Sequence, residues 1–220
     1  MSLGKATREK IVRVPCHWGG LDEAFGGGLA RRHVVMLGGL RGSGKTRLMV
    51  PVMAGLAASS GRRALFLSAE GQDADELAAM LPEDVDADSI EVLRSSELDS
   101  LERAVDELDP IAVAVDSMQA TRVPGARHGS DEHARMLLDA LRRIARGGDR
   151  IVFGLSQMNG DGKLRGSQLY QQHCDAVAML ERDERGRRVF RFDGKNRGGP
   201  DDRTAAFRFD DEGILRGEAT

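Results

Sequence analysis

The sequence predicts an α/β domain with a mostly parallel sheet flanked by helices, on three observations. Short apolar runs alternate with stretches of helical periodicity between residues 34 and 155. The first run, Val34–Leu37, leads into Gly39-Leu40-Arg41-Gly42-Ser43-Gly44-Lys45-Thr46, and a helix is expected from there to about Ser60. Beyond Leu155 come three short strands, Ala176–Leu180, Val189–Phe192 and Ala205–Phe209, which read as an antiparallel extension of the sheet. A glycine-rich loop between a strand and a helix has a physical use. Small residues let backbone N–H groups wrap a phosphate, and the helix N-terminus adds a favourable dipole. Lys45 would reach the β and γ phosphates of a nucleoside triphosphate, and the Thr46 hydroxyl would hold Mg²⁺.

Each element has a local reason. Residues 1–16 open polar and basic and are expected to form a loose arm, with one domain over 17–220. Leu21–Phe25 is a short helix closed by three glycines. Ala64–Ala69 is an apolar run suited to a buried parallel strand. Asp73–Leu81 is a short helix stopped by Pro82, and Ser89–Leu93 is a possible strand. Leu98, Leu101, Val105 and Leu108 recur at helical spacing, Pro110 ends that helix, and Ile111–Val115 is the next strand. Ser130 is an N-cap candidate for a helix over Asp131–Arg146 with Met136, Leu137, Leu141 and Ile144 on its apolar face, followed by a strand at Ile151–Leu155. Pro51, inside the helix after the glycine loop, removes a backbone bond and should kink it.

Composition bounds the function. Charged residues make up 30% and hydrophobic ones 40% of the 220 residues, which fits a soluble globular chain, expected to be cytoplasmic. The net charge of −3 does not announce nucleic-acid binding, so any contact with a phosphate backbone must come from local basic loops. The two cysteines, Cys16 and Cys174, are too few for a thiolate zinc site and read as inert thiols. No stretch has the apolar length to span a bilayer.

In a parallel sheet, ligands sit at the carboxyl ends of the strands, so the residues just past each strand carry the chemistry. Asp116, directly after Ile111–Val115, can hold the water shell of Mg²⁺ or simply cap the next turn. Glu70, at the tip of Ala64–Ala69, is a candidate general base for the water that attacks the γ-phosphate, with a solvated loop Glu as the alternative. Gln157, just beyond Ile151–Leu155, can sense the γ-phosphate or be an ordinary loop residue. Lys195 and Arg197 project on one face of an extended chain. They are either a solvated edge or cations that enter the site of a neighbouring subunit. There an arginine finger accelerates hydrolysis by roughly 10³–10⁵-fold.

Taken in order, GGLDEAFGGGL, GGLRGSGKT, FLSAEG, VAVDSMQ, GLSQMNGDG, LRGSQLYQQHCDAVAMLE and GKNRGG resemble the ATPase core of the RecA superfamily, and within it bacterial RadA. Ser156-Gln157 and Leu164-Arg165-Gly166-Ser167 also resemble DnaB-type helicases, and the GGGL entry is shared with KaiC-like proteins. The resemblance implies a RecA-like P-loop NTPase that binds ATP and Mg²⁺, hydrolyses ATP and acts on single-stranded DNA as a ring or filament, such as a hexamer. It makes Gly39 to Thr46 the nucleotide loop, Thr46 and Asp116 the metal residues and Glu70 the catalytic base. Gln157 falls where RadA usually has a His. Lys195 and Arg197 fall on the pair that acts across the subunit interface. The loops Gln119–Gly129 and Met158–Ser167 fall on DNA-contacting segments, which offers Arg122, Arg127, Lys163 and Arg165 for phosphate contacts.

The chain also departs from the RadA pattern. It carries neither the usual four-cysteine zinc module nor the protease-like domain, so a bare motor core is expected, alone or beside a larger repair or replication partner. Gly198 stands where the RadA signature has a Phe associated with coupling ATP to DNA. A nucleotide-gated regulator, a KaiC-like signalling ATPase and a DnaB-type helicase core therefore stay open beside the DNA-stimulated ATPase.

Overall fold

The computed structural model describes residues 11–158 and 169–218. In chain order they form β1 (Arg13–Val14), α1 (Leu21–Ala24), β2 (Leu29–Ala30), β3 (Val34–Gly39), α2 (Lys45–Ser60), β4 (Ala64–Ser68), α3 (Ala74–Ala78), β5 (Ile90–Leu93) and α4 (Leu98–Leu108). There follow β6 (Ala112–Asp116), α5 (Asp131–Gly147), β7 (Ile151–Gln157), α6 (Leu169–His173), β8 (Ala176–Arg182), β9 (Arg188–Asn196), β10 (Thr204–Phe209) and β11 (Leu215–Gly217). A nine-stranded sheet runs β11-β10-β9-β8-β3-β7-β6-β4-β5. From β8 to β5 every neighbouring pair is parallel, whereas β8/β9, β9/β10 and β10/β11 are antiparallel. The expected antiparallel extension is there, one strand longer than expected.

Strand alternation divides the core into two layers. Val35 and Leu37 of β3 face α2 and α1, while Val34 and Met36 face the side covered by α4 and α5. Helix α5 is amphipathic, capped by Ser130 Oγ, which accepts from the His133 N–H at 3.1 Å. Its buried stripe is His133, Ala134, Leu137, Leu138, Ala140, Leu141, Ile144 and Ala145. Met136, expected on that stripe, is 38% exposed instead. At ~100° per residue it is turned off the stripe centred on Leu137 and Leu141.

Helix α2 is buried on most of its circumference and runs unbroken from Lys45 to Ser60 through Pro51. The proline leaves the Arg47 carbonyl without its helical donor, and that omission is absorbed without ending the helix. Residues 13–16, assigned to the loose arm on sequence, belong to the body of the domain. β1 pairs with β2, and Val14 and Cys16 are buried. The cause is a close crossing over α2, where a Cβ on Gly55 would lie 1.8 Å from the Cys16 carbonyl oxygen. Both thiols are buried, and burial pushes Cys16 well above the usual thiol range and Cys174 up to about 12. Among the described residues, no helix is long and apolar enough to cross a membrane.

Candidate nucleotide site

The glycine loop opens directly from the end of β3, between β7 and β8. Gly42 (φ +76°) and Gly44 (φ +98°) have backbone angles that L side chains rarely adopt, and Gly44 is the N-cap of α2. Gly39 is needed for another reason, since a Cβ there would sit 2.5 Å from Ser43 Oγ and 2.7 Å from the Leu180 carbonyl. Lys45 Nζ donates to the Gly39 and Leu40 carbonyls at 2.9 and 3.0 Å, so its ammonium lies under the loop. Ser43 Oγ is buried without a hydrogen-bond partner. A loop with turned backbone, a lysine at its floor and an unpartnered buried hydroxyl fits a phosphate chain.

The strand tips add acids to this loop. Thr46 Oγ1 donates to Asp116 Oδ2 at 2.6 Å, which joins the two residues expected at the metal. Burial pushes the Asp116 carboxyl up, against the pull of the Thr46 hydrogen bond, with Glu70 adding to the rise. Burial likewise pushes the Lys45 ammonium down, opposed by Asp116 and Glu70. Glu70 Oε1 accepts from Ser117 Oγ at 2.6 Å and faces Gln157 Nε2 at 3.5 Å. A cavity of about 520 Å³ is lined by Lys45, Thr46, Glu70, Asp116, Gln157 and Phe209, among others. Lys45, Thr46, Glu70, Asp116 and Gln157 thus line one space with the glycine loop.

Several further neighbours complete the site. Ser117 holds Glu70, and Gln119 Nε2 donates to Ser156 Oγ at 2.5 Å, linking the β6 and β7 tips. Phe209 lies between two cations, with Arg47 Cζ 5.7 Å and Arg188 Cζ 5.2 Å from its ring centre. The Asp-Ser-x-Gln run after Val115 was the available signal for Ser117 and Gln119. Phe209 had none, because it reaches the loop only through the register of β10 on β9.

Lys195 and Arg197 do not join this cavity. Asn196 pairs with Ala176, and Ala176 with Val35, so the pair lies at the amino end of the parallel strands. Gly39 is four residues further along β3, roughly 13 Å at about 3.3 Å per residue. Lys195 Nζ donates to the Gln172 carbonyl at 2.7 Å, and Arg197 Nη1 lies 3.5 Å from Asp175 Oδ1. Arg122 and Arg127 are exposed on the loop after β6, and Arg122 Nη1 faces Glu97 Oε1 at 3.4 Å. His133 Nε2 bonds the Thr121 carbonyl at 2.8 Å and His128 Nε2 bonds the Gln119 carbonyl at 2.6 Å, which ties that loop down at two points. Lys163 and Arg165, like most of the loop Met158–Ser167, lie outside the described residues.

No family model matches the chain. Its sequence is 27% identical over 204 residues to the DNA repair protein RadA of Treponema pallidum, covering 92% of this chain and 44% of that protein. The RadA of Bacillus subtilis is 28% identical over 215 residues, covering 92% of this chain and 44% of its own length. Helicobacter pylori RadA is 25% identical over 222 residues, covering 98% and 48%. Over nearly its whole length the chain is thus similar to part of these RadA proteins. It spans less than half the length of these curated relatives. Among solved structures, a KaiC-like protein from Pyrococcus horikoshii superposes with a TM-score of 0.76 at 19% identity, covering 96% of this chain and all of the other. That likeness concerns the fold.

Proposed function

We propose that this RecA-type core binds ATP with Mg²⁺ and hydrolyses it, and that it does so as a head-to-tail oligomer acting on single-stranded DNA in repair or recombination. The observation that carries the reading is the convergence of Lys45, the Thr46–Asp116 pair and Glu70 on one cavity at the mouth of the glycine loop. Thr46 and Asp116 would hold Mg²⁺, which supplies charge to the β and γ phosphates when bound. Lys45 exchanges its two loop carbonyls for phosphate oxygens, and Ser43 Oγ gains a partner. Glu70, held by Ser117, accepts a proton from the attacking water as that water bonds to the γ-phosphorus and the bridge to ADP breaks. Gln157 orients the water or reports the γ-phosphate. Phe209 offers a stacking face for the base, and Arg47 and Arg188 brace its ring. Lys195 and Arg197, remote from their own loop, serve the loop of the next subunit. Arg122, Arg127, Lys163 and Arg165 provide the contacts to the DNA backbone.

The names of the RadA relatives support the repair context, and the whole-protein activity of those longer chains is carried over only as part of this proposal. ATP turnover with and without single-stranded DNA, for wild type, Glu70→Gln and Arg197→Ala at several protein concentrations, tests it. Turnover indifferent to DNA and to Arg197→Ala would sink the DNA-coupled, trans-acting mechanism. One observation favours a second reading, a nucleotide-gated assembly module with little DNA coupling. At position 198, where the RadA signature has a Phe, a Cβ would already lie 3.0 Å from His33 Cε1. Nucleotide-dependent assembly without DNA-stimulated turnover would select this reading.

A further inference from the structure

We propose that Asp175, helped by Arg13 at Gly198, is a positioning residue that presents Arg197 to the nucleotide of the neighbouring subunit; this rests on the trans reading of Arg197 given above. Asp175 is buried at the start of β8. Its N–H donates to the Val34 carbonyl at 2.8 Å, and its Oδ2 accepts from the Val34 N–H at 3.0 Å. The carboxylate is thereby clamped to the amino end of β3, the strand that carries the glycine loop at its other end. On its second side, the Arg197 N–H donates to the Asp175 carbonyl at 2.9 Å and the guanidinium faces Oδ1 at 3.5 Å.

The chain just past Arg197 is fixed as well. Arg13 Nη2 donates to the Gly198 carbonyl, while Nη1 donates to the Phe25 and Gly28 carbonyls at 2.7 and 3.1 Å. The Gly198 N–H donates to Asn196 Oδ1 at 3.2 Å, and Asn196 Nδ2 donates to the Pro200 carbonyl at 2.7 Å. The Arg197 side chain itself stays 53% exposed. The Val34 N–H occupies Oδ2 and fixes the carboxylate to the sheet, while the open ion pair on Oδ1 adds only ~0–1 kcal/mol of stability. What Oδ1 adds is placement of Arg197. A displacement of about 1 Å can cost ~10²-fold in rate, and a donor acting on another subunit's phosphate must be held by its own body before the two meet.

Asp175→Asn is isosteric and keeps an acceptor for the Val34 N–H. Its turnover at saturating ATP is expected to fall ~10–100-fold, with the affinity for a fluorescent ATP analogue within about twofold of wild type. Arg13→Gln frees Gly198 without touching the buried carboxylate and is expected to act in the same direction. Co-expression of Asp175→Asn with Lys45→Ala, which cannot hold nucleotide but keeps a well-mounted Arg197, restores turnover at the mixed junctions. Wild-type turnover in both single variants, or a loss that the Lys45→Ala subunit does not restore, overturns the proposal. Lys45→Ala co-expressed with Arg197→Ala is the control for the parent reading. No restoration there rejects the trans mechanism itself, whereas restoration there but not with Asp175→Asn rejects only the role of Asp175.

Discussion

Lys45 holds its charge in a place that resists it. Burial lowers its pKa from 10.5, and the nearby Asp116 and Glu70 offset only part of that. Between the lowered value and 10.5 the unfolded chain therefore binds more protons than the folded one, and the stability of the nucleotide-free chain rises with pH across that window. A triphosphate returns negative charge to the ammonium and raises its pKa, so ATP binding takes up a proton in the same window. Affinity for a fluorescent ATP analogue is expected to weaken as pH rises towards 10.5, beginning below the usual lysine range. A flat affinity over that span would contradict it. Glu70→Gln is expected to bind the analogue normally while losing ~10²–10⁴-fold in turnover, measured as phosphate release. Lys45 and Thr46 are legible in the sequence through the glycine loop, and Asp116, Glu70 and Gln157 because each lies at the end of a strand, where parallel strands bring their carboxyl ends together. Ser117 and Phe209 were not singled out. The first is an ordinary serine until Glu70 is seen on it, and the second depends on strand register.

Among the elements, those with a long period were read correctly and those of two or three residues were not. Helices α4 and α5 announce themselves by a repeating apolar stripe, and α5 by its serine cap. Strands β1, β2 and β11 are too short to carry any periodicity, and they exist because neighbours supply their hydrogen bonds. The arm misassignment has the same origin, since nothing in residues 13–16 reveals that Gly55 leaves a groove for them. Two expectations follow. Gly55→Ala pushes a methyl into the Cys16 carbonyl and should cost about 1–3 kcal/mol or more, seen as a fall of several degrees in thermal midpoint. Ser130→Ala removes the cap of α5 and should cost ~1 kcal/mol with nucleotide affinity unchanged. An unaltered midpoint in either variant would contradict the packing described.

For the whole molecule, the two ends of the sheet carry different groups, with the glycine loop at the carboxyl end and Arg197 at the amino end. Lys45→Ala and Arg197→Ala, each inactive alone, are expected to regain turnover when co-expressed, because each supplies what the other lacks at a shared junction. If the basic loops bind single-stranded DNA, affinity falls with salt by ~0.7 log units per log unit for each neutralised phosphate. A filter-binding series over salt reads that slope, and a slope of zero would remove those loops from the mechanism. The hairpin of β9 and β10 runs from one end of the sheet towards the other. One end carries Phe209 and Arg188 beside the chain's own cavity, and the other ends at Asn196, next to Arg197. β9 is bulged and runs along the seven residues of β8, about 20 Å. If Arg197 does serve the next subunit, each hairpin is a ruler laid between consecutive nucleotides. The repeat distance of the assembly is then written into the length of β9, and inserting or deleting two residues there should change how many subunits close a ring.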